Sequence, residues 1–155
     1  MSFKLSNRSL SKLEGVHPQL VDVCKLAIGR TKIDFGIICG TRTVAEQEEN
    51  VRTGRSKTMK SYHLPQADGY SHAIDAMAYV GSTGVWELNL YDEIADAFLS
   101  AAKEVGCELT WGAAWHKKLT DHEGTCEALM MEYVDLRRSQ GRRPFLDGPH
   151  FQLET

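Results

Sequence analysis

No stretch of the 155 residues is apolar for long enough to span a bilayer, which takes about 20 consecutive apolar residues in a helix. The N-terminal residues Ser2-Phe3-Lys4-Leu5-Ser6-Asn7-Arg8 lack the apolar stretch of a secretory signal. The expectation is therefore synthesis in a cytoplasm and no stable membrane insertion. The four cysteines include no C-x-x-C pair, which argues against a thiolate zinc ribbon. Cys24, Cys39 and Cys107 fall in apolar patterns and read as buried free thiols. A disulfide framework is not expected in a reducing compartment. There is no G-x-S-x-G elbow and no phosphate-binding loop, so serine hydrolases of that type and P-loop enzymes find no support. Repeats, low-complexity tracts and linkers are also missing, and residues 1–155 read as one domain.

Excess charge is lacking too. The formal net charge is -3, which gives no global attraction to nucleic acid or membrane. Arg137-Arg138 and Arg142-Arg143 have no interleaved aromatics, so nucleic acid is not an expected partner. They read as a solvated helix end near its C-terminal dipole. Hydrophobic residues make up 42% of the chain and charged ones 25%, as in an ordinary globular protein able to bury a core.

The pattern of what remains predicts the elements. His17-Pro18 opens a helix to about Arg30, with Leu20, Val23, Cys24 and Ala27 on one face. Asp34–Cys39 reads as a strand ended by Gly40. Thr43 and Glu46 form a capping box for a helix to about Thr53. Residues 54–71 read as a long loop, of the kind often functional. A strand follows over Ala73–Val80. Asn89 is expected to cap a helix to Val105, stopped by Gly106. Cys107–Trp111 is a short strand, Thr125 to about Gln140 a helix, and His150–Leu153 a last strand. Helices and strands mix without regular alternation, so the fold class is α+β.

Two histidine–carboxylate clusters carry the chemistry. One is Ser61-Tyr62-His63 running on to Ala73-Ile74-Asp75, and the other is Asp147-Gly148-Pro149-His150. Two histidines and an aspartate can fill three corners of a tetrahedral zinc site and leave the fourth for water, as catalytic zinc requires. The remaining acid, Asp147, can then serve as a base. His72 is a reserve ligand, unless the strand's period of two turns it away from the Asp75 face. His116 and Asp121-His122-Glu123 lack helical H-E-x-x-H spacing and read as surface loop.

These residues resemble the zinc peptidases that include D-Ala-D-Ala carboxypeptidases and phage L-alanyl-D-glutamate endopeptidases. That family shares G-x-R-T-x-x-x-Q, then S-x-H-x-x-G-x-A-x-D, a W-G-x-x-W segment, and D/E-x-x-H near the end. Here the order is Gly40 to Gln47, Ser61 to Asp75, Trp111 to Trp115, and Asp147 to His150. The resemblance implies a small single-domain hedgehog/D-Ala-D-Ala-peptidase-like fold, an antiparallel sheet with helices packed on it. It implies that His63, Asp75 and His150 bind Zn2+, that Asp147 is the general acid/base, and that Arg42 holds the scissile carbonyl or oxyanion. Gln47 and Ser61 would support the site or contact substrate, and Trp115 would shape the cleft wall. Trp111 is either cleft wall or core.

The implied substrate is the stem peptide of peptidoglycan. The compact form without a signal is similar to a monomeric phage endolysin cleaving the L-Ala–D-Glu bond, released to the periplasmic wall through a phage-encoded pore. A D-Ala-D-Ala carboxypeptidase or dipeptidase, and a zinc-containing binding module without catalysis, are the alternatives. This chain departs from the pattern in one respect. His63 and Asp75 stand twelve positions apart against the family's seven. A bulged loop within Leu64–Tyr70 is expected to absorb the insertion without moving either ligand. Ser71 lies where the family has glycine.

Overall fold

The computed structural model describes residues 2–155, and its central strand is β2. The elements in chain order are α1 (Asn7–Lys12), α2 (Pro18–Arg30), β1 (Asp34–Cys39), α3 (Val44–Arg52), β2 (Ala73–Val80) and β3 (Thr83–Val85). They continue with α4 (Leu88–Val105), β4 (Glu108–Trp111), a 3-10 turn at Leu119–Asp121, α5 (Cys126–Ser139) and β5 (His150–Glu154). The class is α+β with an antiparallel sheet in the order β1-β2-β5-β4. One edge of β2 is shared: β5 pairs Ala73–Asp75 and β3 pairs Ala78–Val80. The turn before β5 enters between them, where the Ala76 N–H donates to the Pro149 carbonyl at 2.9 Å.

Alternation along β2 sorts its side chains between two faces. Ile74, Ala76 and Ala78 are fully buried in the core beside α4 residues Ile94, Phe98 and Ala101. Asp75, Met77 and Tyr79 point to the other face and are only partly covered. Phe98 stacks on Phe151 with ring centroids 4.0 Å apart, and Trp111, the cross-strand partner of Phe151 on β4, lies nearly parallel to the same ring at 6.4 Å. Trp111 is fully buried, with its indole N–H donating to the Gly148 carbonyl at 2.8 Å. It is core, and not cleft wall.

Most of the expected elements appear at the expected places, with local causes visible. Thr43 and Glu46 do form the capping box of α3, and Thr125 caps α5 through the Ala128 N–H. Gly106 stops α4 in the left-handed region. Asn89 is not the cap of α4. The helix starts at Leu88 after Glu87, which makes no side-chain cap bond. Packing of Leu88 against Gly148 and Tyr91 extends the helix past its best capping residue, a tertiary override of local propensity. α1, β3 and the 3-10 turn were not foreseen. α1 is short and polar and is held by Ser6, which accepts the Ser9 N–H. All four cysteines are free, but only Cys24 and Cys126 are buried; Cys39 and Cys107 are half-exposed.

Candidate metal centre

Cys39, Asp75 and His150 form one rung across three strands, since Cys39 pairs with Asp75 and Asp75 with His150. A register shift between Ile37 and Cys39 puts the thiol on the Asp75 face, because an extra residue flips the alternation. His63 comes to the same rung from the loop. Its Nε2 lies 3.4 Å from Asp75 Oδ1, and His150 Nδ1 lies 3.2 Å from the same oxygen. The two imidazole centroids are 5.2 Å apart. In a tetrahedral zinc site with bonds near 2.05 Å, neighbouring donors sit about 3.3 Å apart. The two spacings to Asp75 fit that edge, while His63 and His150 fall in separate donor groups around it.

Proton positions make the fit stronger. His63 Nδ1 donates to the Gly40 carbonyl at 2.8 Å, and a carbonyl can only accept, so Nε2 keeps its lone pair. Gln152 donates its amide to Glu154 at 2.8 Å, which turns its oxygen toward His150 Nε2 at 2.9 Å. His150 therefore carries its proton on Nε2 and aims the Nδ1 lone pair at the cluster. Three acceptor atoms thus converge with no donor among them, an arrangement that calls for a cation. Outer partners that fix the tautomer in this way are typical of metal-bound histidines.

The chain meets this demand with a proton when no metal is bound. Burial opposes charge on His63, yet Asp75 and Cys39 push its pKa up to about 10. Burial alone would raise Asp75, but in the metal-free chain a proton shared with His150 and His63 at its Oδ1 holds it far below the usual carboxylate range. Two overlapping donor groups share Asp75: Cys39 with His63 and Asp75, and Asp75 with Asp147 and His150. Cys39 Sγ approaches His63 from the Nδ1 side at 3.6 Å, the nitrogen already engaged by Gly40. The thiol therefore stands behind His63; Asp75 is common to both groups, and His63 and His150 each join it from one side.

Asp147 flanks the cluster on a turn fixed at both ends. Its N–H donates to the Gly112 carbonyl at 2.8 Å, and its own carbonyl accepts the His150 N–H at 3.1 Å. A Cβ on Gly112 would come 2.2 Å from the Asp147 carbonyl and 2.9 Å from His150 Cβ. This close approach is why the W-G-x-x-W segment needs its glycine. Burial, with the Asp75 charge, raises the Asp147 pKa against the pull of both imidazoles. A carboxylate of raised basicity is suited to taking a proton and giving it back.

The remaining sequence candidates divide. Arg42 donates from Nη1 to Gln47 Oε1 at 2.7 Å and from Nη2 to Cys39 Sγ at 3.5 Å, and its backbone N–H holds the His63 carbonyl at 2.8 Å. Gln47 is fully buried and also ties Ser56 and Thr58, so it supports Arg42 and does not face substrate. Ser61 accepts the His63 N–H at 3.2 Å and shapes the turn that carries His63. The Trp115 ring leans on His150 with centroids 5.4 Å apart and stacks on the exposed Phe145 at 5.8 Å. Its indole N–H is buried without a partner. Sequence reasoning missed Cys39, which read as core; only the bulge, which leaves no local sequence signal, turns it to the site.

The insertion is absorbed as expected. Gln66 and Tyr70 close a turn with Gly69 at φ +86. Asp68 Oδ2 accepts from His72 Nε2 at 2.8 Å and lies 3.8 Å from His17 Nε2. His72 is thus tied to the insertion and stands away from the His63–Asp75–His150 group. His122 is buried, with Nε2 donating to the Thr125 carbonyl at 2.8 Å, contrary to its reading as surface loop. His116 pairs with Glu132 at 2.8 Å.

Known proteins of similar sequence and fold point to one family. The L-alanyl-D-glutamate peptidase of Escherichia phage T5 is 33% identical over 127 residues, covering 79% of this chain and 89% of that protein. The L-alanyl-D-glutamate peptidase of Listeria phage A118 is 36% identical over 74 residues, 48% of this chain and 24% of that protein. The crystal structure of the L-Ala D-Glu endopeptidase ChiX of Serratia marcescens superposes with a TM-score of 0.72 at 32% identity, covering 99% of this chain and 91% of that one. The family model for phage L-alanyl-D-glutamate peptidases matches residues 1–154, and the chain belongs to that family.

Proposed function

We propose that the chain is a zinc-dependent endopeptidase of peptidoglycan, hydrolysing the L-Ala–D-Glu bond of stem peptides in phage lysis. The observation that carries this is the convergence of His63 Nε2, Asp75 Oδ1 and His150 Nδ1 with no donor among them, in a member of this family. His63, Asp75 and His150 hold the ion. Bound zinc supplies a Lewis acid and lowers the pKa of water toward neutrality.

Asp147 receives the proton from the attacking water and passes it to the leaving amine. Arg42 has donors left beyond Gln47 and Cys39 and steadies the charge that develops on the carbonyl oxygen. Trp115 forms the wall beside His150. Gln47 and Ser61 position Arg42 and His63. Residues 1–155 act as one catalytic domain and as a monomer, without nucleic acid, and the periplasmic wall is reached through a host-membrane pore made by the phage. A carboxypeptidase acting on D-Ala-D-Ala would use the same centre. A binding module without catalysis would have no need of a carboxylate of raised pKa beside the cluster.

The test is mass spectrometry of fragments released from purified Gram-negative peptidoglycan, with and without a chelator. Chelator-sensitive peptides beginning at D-Glu are expected. Release of terminal D-Ala alone would move the reading to a carboxypeptidase, and no release by metal-loaded protein would remove it. Asp147→Asn should keep bound metal and lose about 10²–10⁴-fold in kcat.

A further inference from the structure

A cavity of about 410 Å3 lies on the sheet face opposite the core and is lined by Lys4, Arg8, Asp34, Ile38, Tyr79 and Ser82, among others. Asp34 and Tyr79 are cross-strand partners, and Tyr79 shares its face of β2 with Asp75. Four residue steps along the strand separate them, about 13 Å. Ile38 immediately precedes Cys39 of the metal rung. The half-covered Met77 is the only β2 residue on that face between the rung and Tyr79. The groove thus lies on the same face of the sheet as the rung, further along β1 and β2. Its base is aromatic: a Cβ on Gly36 would meet Tyr79 Cε2 at 3.0 Å, so the ring lies across the glycine where any side chain would lift it.

The charges in this groove do not satisfy one another. Among the described residues, none of Lys4, Arg8 and Asp34 has an ion-pair partner within 4.0 Å. Two cations and one acid, held apart around a tyrosine ring, suit a group that itself carries both signs. A simple anion would leave Asp34 unused, and a neutral side chain would use none of the three. The distance suits the substrate as well. A span of about 13 Å is covered by three to four extended peptide units, or by two units and a long side chain.

We propose that this groove is a distal subsite for a side chain of the cleaved peptide that ends in an ammonium and a carboxylate on one carbon. Lys4 and Arg8 receive the carboxylate, Asp34 receives the ammonium, and Tyr79 carries the methylene chain. The inference rests on the peptidase reading, and deepens it by naming what lies beyond the scissile bond.

The test compares two synthetic tripeptides with the same L-Ala–γ-D-Glu bond and either meso-diaminopimelate or L-lysine as the third residue. Lysine lacks only the terminal carboxylate. The metal-loaded full chain should favour the diaminopimelate peptide by about tenfold in kcat/KM, mostly through KM, as expected for charge-assisted contacts at a partly exposed site. The double variant Lys4→Ala/Arg8→Ala should bring that ratio close to one, whereas Lys25→Ala, a charge removed outside the groove, should preserve it. Equal rates on the two peptides, or a preference that survives the double variant, would overturn the subsite. If neither peptide is cleaved, the peptidase reading fails, and the subsite is judged by titrating meso-diaminopimelate at millimolar concentration into labelled protein. Amide shifts at Gly36 and Tyr79 that vanish in the double variant support it, and their absence overturns it.

Discussion

Replacing Gln152 by leucine would test the metal centre without touching a ligand. Gln152 gives His150 Nε2 its acceptor at 2.9 Å and is itself oriented by Glu154 at 2.8 Å. His150 is 8% exposed, so water has little room to replace the lost oxygen. Without metal, the imidazole proton can move to Nδ1 and donate to Asp75 Oδ1, 3.2 Å away, which softens the loss. With metal, Nδ1 must present its lone pair, and the Nε2 proton stays stranded in a buried place.

The cost of Gln152→Leu therefore falls on the metal-bound form. Loss of such an outer partner lowers metal affinity by about 10–100-fold, or about 1.4–2.7 kcal/mol. Competition with a chromophoric zinc chelator at fixed pH reads this directly, and the melting temperature gained on adding zinc should shrink in parallel. Gln152→Glu keeps an acceptor and should bind close to wild type. Wild-type affinity in the leucine variant would mean that His150 is not held by this relay, or is not a ligand.

Three further outcomes follow from the same geometry. The raised pKa of His63 contributes stability to the metal-free protein that is complete below 6.5 and lost as pH rises toward about 10; chelated protein should melt progressively lower over that window, and zinc should raise the melting temperature most at its top, because the proton no longer competes. Gly112→Ala places a methyl 2.2 Å from the Asp147 carbonyl; overpacking of this kind costs about 1–3 kcal/mol, and a shift of Asp147 near 1 Å costs about 10²-fold in rate, so unchanged kinetics would show that the Asp147 turn is not held where it is described. His72→Ala removes the buried partner of Asp68 and should lower stability by about 1–3 kcal/mol while leaving zinc affinity intact in a chelator competition; a loss of zinc would make His72 a ligand after all.

The elements legible in the sequence are those whose causes are local. α2 follows from proline at its first turn and an apolar stripe, α3 from its capping box, and the end of α4 from Gly106. The strands carrying Asp75 and His150 stand out as short apolar runs between turn residues. The pairing of those runs is not local. That Asp75 faces His150 is fixed by β2–β5 register, which the order of motifs suggested only through the family resemblance. β3 was hidden because three residues with a central glycine, Thr83-Gly84-Val85, carry no alternation. A Cβ on Gly84 would meet Met77 Sδ at 2.4 Å, so the methionine would have to turn aside for any other residue there.

Cys39 shows where such reading stops for a physical reason. Phe35 and Ile37 are buried and Cys39 continues the same parity, so period two assigns the thiol to the core with them. The shifted register between Ile37 and Cys39 adds one residue to β1 and reverses that assignment. The thiol then lies opposite Asp75 and within reach of both His63 and Arg42, whose positive charge favours its ionised form. The same bulge places Gly40 so that its carbonyl meets His63 Nδ1, and it tolerates no side chain there, since a Cβ would lie 2.0 Å from the Lys12 carbonyl. One irregular residue step thus sets both the tautomer of His63 and the thiol behind it. A bulge is a property of two strands together, and so it can be found only once the partner strand is in place.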